Sequence, residues 1–353
     1  MEQLIAYLES LNVKLWVEGG RLRYQAPLGV ITSERLEQLR EHKADIIQFL
    51  QKDKQSFNST QPKVRRWSPL VGIQTLGLKP PFFCVHPLSG NILSFPVLSR
   101  HLGAEQPFYG LEAIGMLGQQ EPLTTIEDLA TCYIQAISVV QPSGPYFLGG
   151  YSFGGLVAFE MAQQLEQQGH EVALLAIIDT MAPTAKLDIA PANNDTDWIK
   201  LCFRIIEYEF RKKLPFVCEQ VQKLQPQEQI DYFLETLKAA NLISPNVGQE
   251  GIRRLVQLWM ILAKAAMSYI PRLYRGKITL FRSSEELPLE DDRVVNNRFK
   301  EYAMGWGEFT TKPIEIYHIP GNHRTMMTEP NCSVLGDKLK FCLERAQAGS
   351  TQL

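Results

Sequence analysis

The apolar positions of this chain change their period along its length, and each change predicts a different kind of structure. At the start, Leu4, Ile5, Leu8 and Leu11 recur at helical spacing. VKLWV and RLRYQ then alternate on either side of Glu18-Gly19-Gly20, where paired glycines accept the positive φ of a hairpin turn. Thr32 or Ser33 can cap a further helix, whose apolar positions Leu36, Leu39, Ile46, Ile47 and Leu50 end near residue 51. Residues 52–66, KDKQSFNSTQPKVRR, have no apolar periodicity and read as a linker.

Beyond the linker the period alternates. PPFFCVHPLSG, GPYFLGG, ALLAIID, GKITLFRSSEE and PIEIYHIPGNH each contain a short apolar run that reads as a strand, and FGGLVAFEMAQQLEQQG reads as a helix ending near Gly169. Strands interleaved with helices predict an α/β domain with a mostly parallel sheet covered on both faces. Nearly 100 residues separate ALLAIID from the strand at Lys277. They hold three amphipathic runs, DTDWIKLCFRIIEYEF, PQEQIDYFLETLKAANLI and GQEGIRRLVQLWMILAKAAMSYI, which suit a helical lid or a second helical layer of the core.

Composition narrows the function classes. The 353 residues are 45% hydrophobic and 21% charged, as in ordinary globular proteins. A net charge of −2 supplies no global field for nucleic acid or an anionic membrane, so neither is an expected partner. No run of about 18 apolar residues predicts a transmembrane helix, and MEQLIAYLES lacks the basic and apolar regions of a signal peptide. The six cysteines are scattered without a CxxC pair, which argues against a disulfide framework or a zinc site. A reducing, cytoplasmic location is the expectation.

The chemistry is concentrated in Gly150-Tyr151-Ser152-Phe153-Gly154, a GxSxG sequence that follows a predicted strand and opens a predicted helix. In such an elbow a serine adopts strained backbone geometry, and glycines let strand and helix approach closely. The amides at the helix start can stabilise an oxyanion. Among the six histidines, His323 follows the last predicted strand in Pro320-Gly321-Asn322-His323, where this fold carries its base. By pattern the orienting acid is Asp179, ending ALLAIID, or else Glu285 or Glu286 after ITLFRSS.

PPFFCVHPLSGNILSF, QPFYGLEAIG, QPSGPYFLGGYSFGGLVAFEMAQQLEQQG, LLAIIDTMAP and IPGNHRTMMTEP, in this order, resemble type I thioesterase domains of nonribosomal peptide and polyketide synthetases. The resemblance spans about residues 67–345 and implies an α/β-hydrolase with a helical lid at about 184–270, inserted in a domain of residues 67–353. It also implies Ser152 as nucleophile, Asp179 as acid and His323 as base, with the backbone N–H groups of Leu88 and Phe153 as the oxyanion hole. His86 would then shape its loop. Residues 1–51, with LWVEGGRLRYQAP as the most specific part, resemble TubC-type N-terminal docking domains. These are small α+β modules with a β-hairpin, typically dimeric, that receive the C-terminal tail of an upstream synthetase subunit.

The alternation places Lys14 and Trp16 on one hairpin face, where Arg21 and Arg23 can join them. By pattern this is a solvated face or a basic, aromatic surface for an acidic peptide; the resemblance makes the four residues candidate partner contacts. No carrier domain fits between residues 51 and 67, so the acyl chain is expected on the phosphopantetheine of a partner's carrier domain, with no resident cofactor or metal. An editing thioesterase, an acyltransferase to an external nucleophile and a non-catalytic scaffold are the rival readings.

Overall fold

The computed structural model describes residues 14–18, 21–25, 43, 46–47, 67–116, 118, 120–183, 203, 207, 214–215, 218–241, 249–285 and 301–350. The chain divides into two compact units, Met1–Trp67 and Ser68–Leu353.

In the first unit β1 (Lys14–Glu18) pairs antiparallel with β2 (Arg21–Gln25). Trp16 stands opposite Arg23, Glu18 opposite Arg21 and Lys14 opposite Gln25. Directly opposed residues share a face, and side chains alternate along each strand. This register therefore puts Lys14, Trp16, Arg21 and Arg23 at positions of one face. Val17 and Leu22, opposed on the other face, are half-buried, whereas Arg23 is exposed. Positions 43, 46 and 47 are helical and Ile46 is buried. The rest of the two helices expected around Leu4–Leu11 and Leu36–Leu50, and the linker at 52–66, lie outside the described residues.

The second unit is built on a seven-stranded sheet. Its elements run β3 (Leu70–Gln74), β4 (Phe82–Val85), α1 (Phe95–Leu102), β5 (Phe108–Leu111), α2 (Ile126–Ser138), β6 (Tyr146–Tyr151), α3 (Phe153–Gln167), β7 (Val172–Ile178), α4 (Pro226–Ala239), α5 (Gln249–Ser268), β8 (Ile278–Ser283), β9 (Glu315–Ile319) and α6 (Asn331–Ser350). The spatial order is β3-β5-β4-β6-β7-β8-β9. Only β3 runs antiparallel; the other neighbours pair in parallel. The edge strand β3 and its neighbour β5 were not among the apolar runs singled out by pattern, because a half-exposed β3 and a four-residue β5 give little periodic signal.

Side-chain alternation explains the layers. Phe82 and Cys84 of β4, with Phe147, Leu174 and Ala176, pack against Phe95, Leu98 and Leu102 of α1 and against Leu335, Leu339 and Leu343 of α6. The opposite face is covered by α3, which packs against α2. Twelve residues of α3 are buried, as expected of a helix held between the sheet and other elements. Its Glu160 carboxylate, almost fully buried, accepts bonds from the Tyr269 hydroxyl (2.8 Å) and Gln164 Nε2 (2.9 Å), with Arg272 at 3.6 Å. A buried charge requires such partners, and these join the end of α5 to α3.

Chain order reverses direction at β4: β5 lies on one side of it and β6 on the other. In open parallel sheets, sites form outside the carboxyl ends of the strands at such a switch point. The segment between β7 and β8 supplies α4 and α5, matching the second and third amphipathic runs. Their buried faces form a cluster of their own, with Ile230, Phe233, Leu234 and Leu237 of α4 against Val256, Met260 and Ala263 of α5. Of the first run, only Phe203 and Glu207 are among the described residues; Phe203 belongs to that cluster.

Candidate active site

The site is built from residues at the carboxyl ends of five parallel strands, β4, β6, β7, β8 and β9. Ser152 sits between β6 and α3 with φ 55° and ψ −123°, a left-handed conformation that L-residues other than glycine rarely occupy. The turn is held by Ser152 N–H donating to Ile178 O (2.9 Å), Gly155 N–H donating to Ser152 O (3.0 Å) and the Thr180 hydroxyl donating to Ser152 O (2.7 Å). A methyl group at Gly150 would lie 2.0 Å from Gly154 O, and one at Gly154 would lie 2.2 Å from Val85 O. Those approaches explain why the elbow needs glycine on both sides of the serine.

Asp179 follows β7, also at positive φ (48°) and also buried. Its Oδ2 accepts from His323 Nδ1 at 2.8 Å. The carboxylate can only accept, so Nδ1 carries the proton and Nε2 is the unprotonated ring nitrogen. Asp179 Oδ1 also accepts from Ser283 N (2.7 Å), and Oδ2 from the Ser283 hydroxyl (3.1 Å). Glu285, the alternative acid by pattern, is exposed, and its backbone N–H donates to Gly321 O (2.9 Å). Glu286 lies outside the described residues.

His323 is held from a second direction. The Tyr151 ring stacks on its imidazole (centroids 5.0 Å apart, 29° between planes), and the Tyr151 hydroxyl donates to His323 O at 2.6 Å. The loop before it turns at Gly321, with φ 82°. Asn322 Oδ1 accepts from the backbone N–H groups of Arg324 and Thr325, both at 3.1 Å. Ser283 and Tyr151 were not singled out from sequence. Ser283 ends the same strand run as the Glu285 alternative, but only the sheet order makes the end of β8 a neighbour of the end of β7.

The turn Pro87–Gly90 follows β4 and is closed by Gly90 N–H donating to Pro87 O (2.9 Å). Leu88 occupies this turn, and Phe153 is the first residue of α3, where an amide has no intrahelical acceptor. His86 is fully buried beneath both. Its ring stacks on Phe153 (5.6 Å, 19°), and its Nδ1 meets Pro87 O at 2.7 Å. Nε2 faces the Tyr133 hydroxyl at 2.9 Å. Burial pushes the His86 pKa down to about 4, against a smaller opposite effect of the Pro87 bond. A neutral, enclosed imidazole of this kind braces a turn and does not exchange protons with a substrate.

No group of three or more metal-binding side chains occurs among the described residues. Cys84, Cys132, Cys332 and Cys342 are free thiols; burial raises the pKa of Cys84 and Cys332, the latter to about 12. Among the described residues no helix is long and apolar enough to cross a membrane.

A parallel sheet carrying a strained serine after one strand, and an aspartate–histidine pair after two others, defines an α/β-hydrolase. Residues 80–339 match the thioesterase domain family and residues 1–52 match the TubC N-terminal docking domain. The chain belongs to the thioesterase domain family, enzymes that act on thioesters. It is 32% identical over 290 residues to malpinin synthetase of Mortierella alpina, covering 79% of this chain and 3% of that protein. It is 31% identical over 280 residues to a dimodular nonribosomal peptide synthase of Bacillus subtilis, covering 78% and 11%. The chain thus spans only a small part of these relatives. A four-domain nonribosomal peptide synthetase bound to AMP and glycine shares the fold with a TM-score of 0.67, 24% identity, and coverage of 84% of this chain and 21% of that one. The Vlm2 thioesterase domain bound with a dodecadepsipeptide does so with a TM-score of 0.56, 20% identity, and coverage of 77% and 96%.

Proposed function

We propose that this chain releases an acyl or peptidyl chain from the phosphopantetheine thioester of a carrier domain on a partner subunit, through an acyl-Ser152 intermediate. The observation that carries this reading is the 2.8 Å contact between Asp179 Oδ2 and His323 Nδ1, beside a serine at a left-handed elbow. His323 Nε2 takes the Ser152 hydroxyl proton as Oγ bonds to the thioester carbon. Asp179 stabilises the resulting imidazolium. The amides of Leu88 and Phe153 stabilise the oxyanion, a contribution of about 10²–10³ in rate per donor. The C–S bond breaks, the pantetheine thiol leaves with the proton from His323, and acyl-Ser152 remains. Water, or an amine or hydroxyl of the chain itself, completes release with His323 again as base.

The helical insertion at about 184–270 acts in this reading as the lid over the acyl chamber. Residues 1–51 act as the docking module, joined by the linker 52–66 to the catalytic domain 67–353. Its hairpin face of Lys14, Trp16, Arg21 and Arg23 takes the acidic C-terminal tail of an upstream synthetase subunit, in a homodimer and in the cytoplasm. Tethering raises the effective concentration of the partner's carrier, to about millimolar for a short flexible linker. The enzyme needs no resident cofactor; phosphopantetheine arrives with the substrate.

The test is intact mass after treatment with a fluorophosphonate and with an acyl-N-acetylcysteamine thioester. One adduct on the wild type, absent from Ser152→Ala, is expected; an adduct retained by Ser152→Ala would overturn the assignment. Deleting residues 1–51 is expected to spare turnover of the small thioester and to slow release from the carrier-bound substrate. Equal rates on the carrier would remove the docking role.

A further inference from the structure

We infer that Trp259 of α5 is a positioning residue for the oxyanion hole, an inference that rests on the Ser152 and Leu88 roles proposed above. The indole Nε1–H donates to Ser89 O at 3.2 Å, joining residues 170 positions apart in sequence. Ser89 O belongs to the same planar peptide unit as Gly90 N–H, and in a trans peptide the two point in opposite directions. Gly90 N–H donates to Pro87 O at 2.9 Å. Pro87 O in turn shares its peptide plane with Leu88 N–H.

Two bonds therefore connect Trp259 to the oxyanion donor through two rigid peptide units. Bonds in series also polarise one another, so the indole strengthens as well as aims the Leu88 N–H. His86 Nδ1 adds a second bond to Pro87 O, at 2.7 Å, fixing the same plane from within the domain core. Packing follows the same route. The Leu88 side chain rests against the α4/α5 cluster, as does Trp259 itself. Leu258 Cδ2 lies at the edge of Gly90, 3.4 Å from where a β-carbon would stand. The helical insertion thus holds the turn by a side chain, a hydrogen bond and a contact. Displacing α5 would withdraw the Leu88 donor, which ties catalytic competence to the seating of this helix.

The experiment compares wild type with Trp259→Phe, which keeps an aromatic ring and deletes the donor. Benzothienylalanine placed at Trp259, which exchanges the N–H for sulfur at the same ring size, is the second variant in case phenylalanine disturbs folding. Active sites are counted by fluorophosphonate labelling, and kcat and KM are measured per site on an acyl-N-acetylcysteamine thioester. The inhibition constant of an acyl trifluoromethyl ketone is measured in parallel. Ser152 Oγ adds to its carbonyl carbon, the proton passes to His323, and the former carbonyl oxygen becomes an oxyanion in the hole.

Loss of about tenfold in kcat with KM within twofold, and a weakening of the ketone by the same factor, is the expected result. A loosened but otherwise normal fold would lower the number of labelled sites and leave the per-site constants unchanged. That outcome, in either variant, overturns the inference while leaving the Ser152 reading intact. A wild type that neither labels at Ser152 nor binds the ketone overturns the underlying reading, and this inference falls with it.

Discussion

Replacing Gly154 by alanine tests the elbow most directly, because the structure states what the added methyl group meets. The new Cβ would lie 2.2 Å from Val85 O and 2.6 Å from His86 O. An ordinary contact begins near 3.4 Å, so relief requires a shift of about 1 Å. Val85 has little room to retreat. It ends β4 between β5 and β6, opposite Leu111 and Gly150. The start of α3 must therefore move away from the turn at residues 87–90, separating the Phe153 amide from the Leu88 amide. Overpacking of this kind costs about 1–3 kcal/mol of stability. A displacement of about 1 Å between catalytic groups costs about 10² in rate.

The assay is thiol release from an acyl-N-acetylcysteamine thioester, normalised to active sites, with a thermal melt on the same samples. Gly154→Ala is expected to lose about 10² in kcat/KM with a Tm only a few degrees lower. Gly307→Ala is the control, since a methyl group there meets nothing within 4 Å, and it should match wild type in both measurements. A folded Gly154→Ala protein with kcat/KM within threefold of wild type would refute the geometry argued for the elbow.

Asp179→Asn should lower kcat by about 10³–10⁴, because an amide facing His323 Nδ1 no longer enforces the tautomer in which Nε2 is unprotonated; steady-state kinetics on the small thioester checks this. Ser283→Ala removes the hydroxyl bond to Asp179 but keeps the backbone N–H bond, so a loss of about tenfold in kcat/KM is expected, and no change would show that the amide alone suffices. His86 is neutral in the folded protein down to about pH 4, whereas an unfolded histidine takes up its proton near pH 6.5. The unfolded state binds more protons between these values, so the His86 contribution is complete above about pH 6.5 and is lost as pH falls towards 4, at most about 3 kcal/mol. Urea unfolding at several pH values should show a shallower acid slope for His86→Gln, and equal slopes would contradict the burial argument.

The elbow was legible in the sequence because its requirements are local. Gly150 and Gly154 flank Ser152 within five residues, and the close approaches they permit involve the turn, its helix and the end of the neighbouring strand β4. The hairpin face was legible for a similar reason, since alternation and a two-glycine turn fix which residues oppose one another. The choice between Asp179 and Glu285 was different. Both end apolar strands, and pattern alone left them open. In the packed fold His323 Nδ1, 144 residues away, meets Asp179 Oδ2, whereas Glu285 is exposed, although its strand β8 is the direct neighbour of β9.

What the sequence determined by itself were properties carried over short separations: periodicity, turn chemistry, and the strand–serine–helix elbow with its glycines. Backbone dihedrals and near-neighbour sterics set these, and both act within a few residues. The tertiary structure decided everything that depends on chain segments meeting from afar. Ser283 became the second support of Asp179, Tyr151 became the floor beneath His323, and Trp259 reached Ser89 across 170 positions. A hydrogen bond acts only within about 3 Å, so only the packed fold selects which of the many polar side chains of the chain form one.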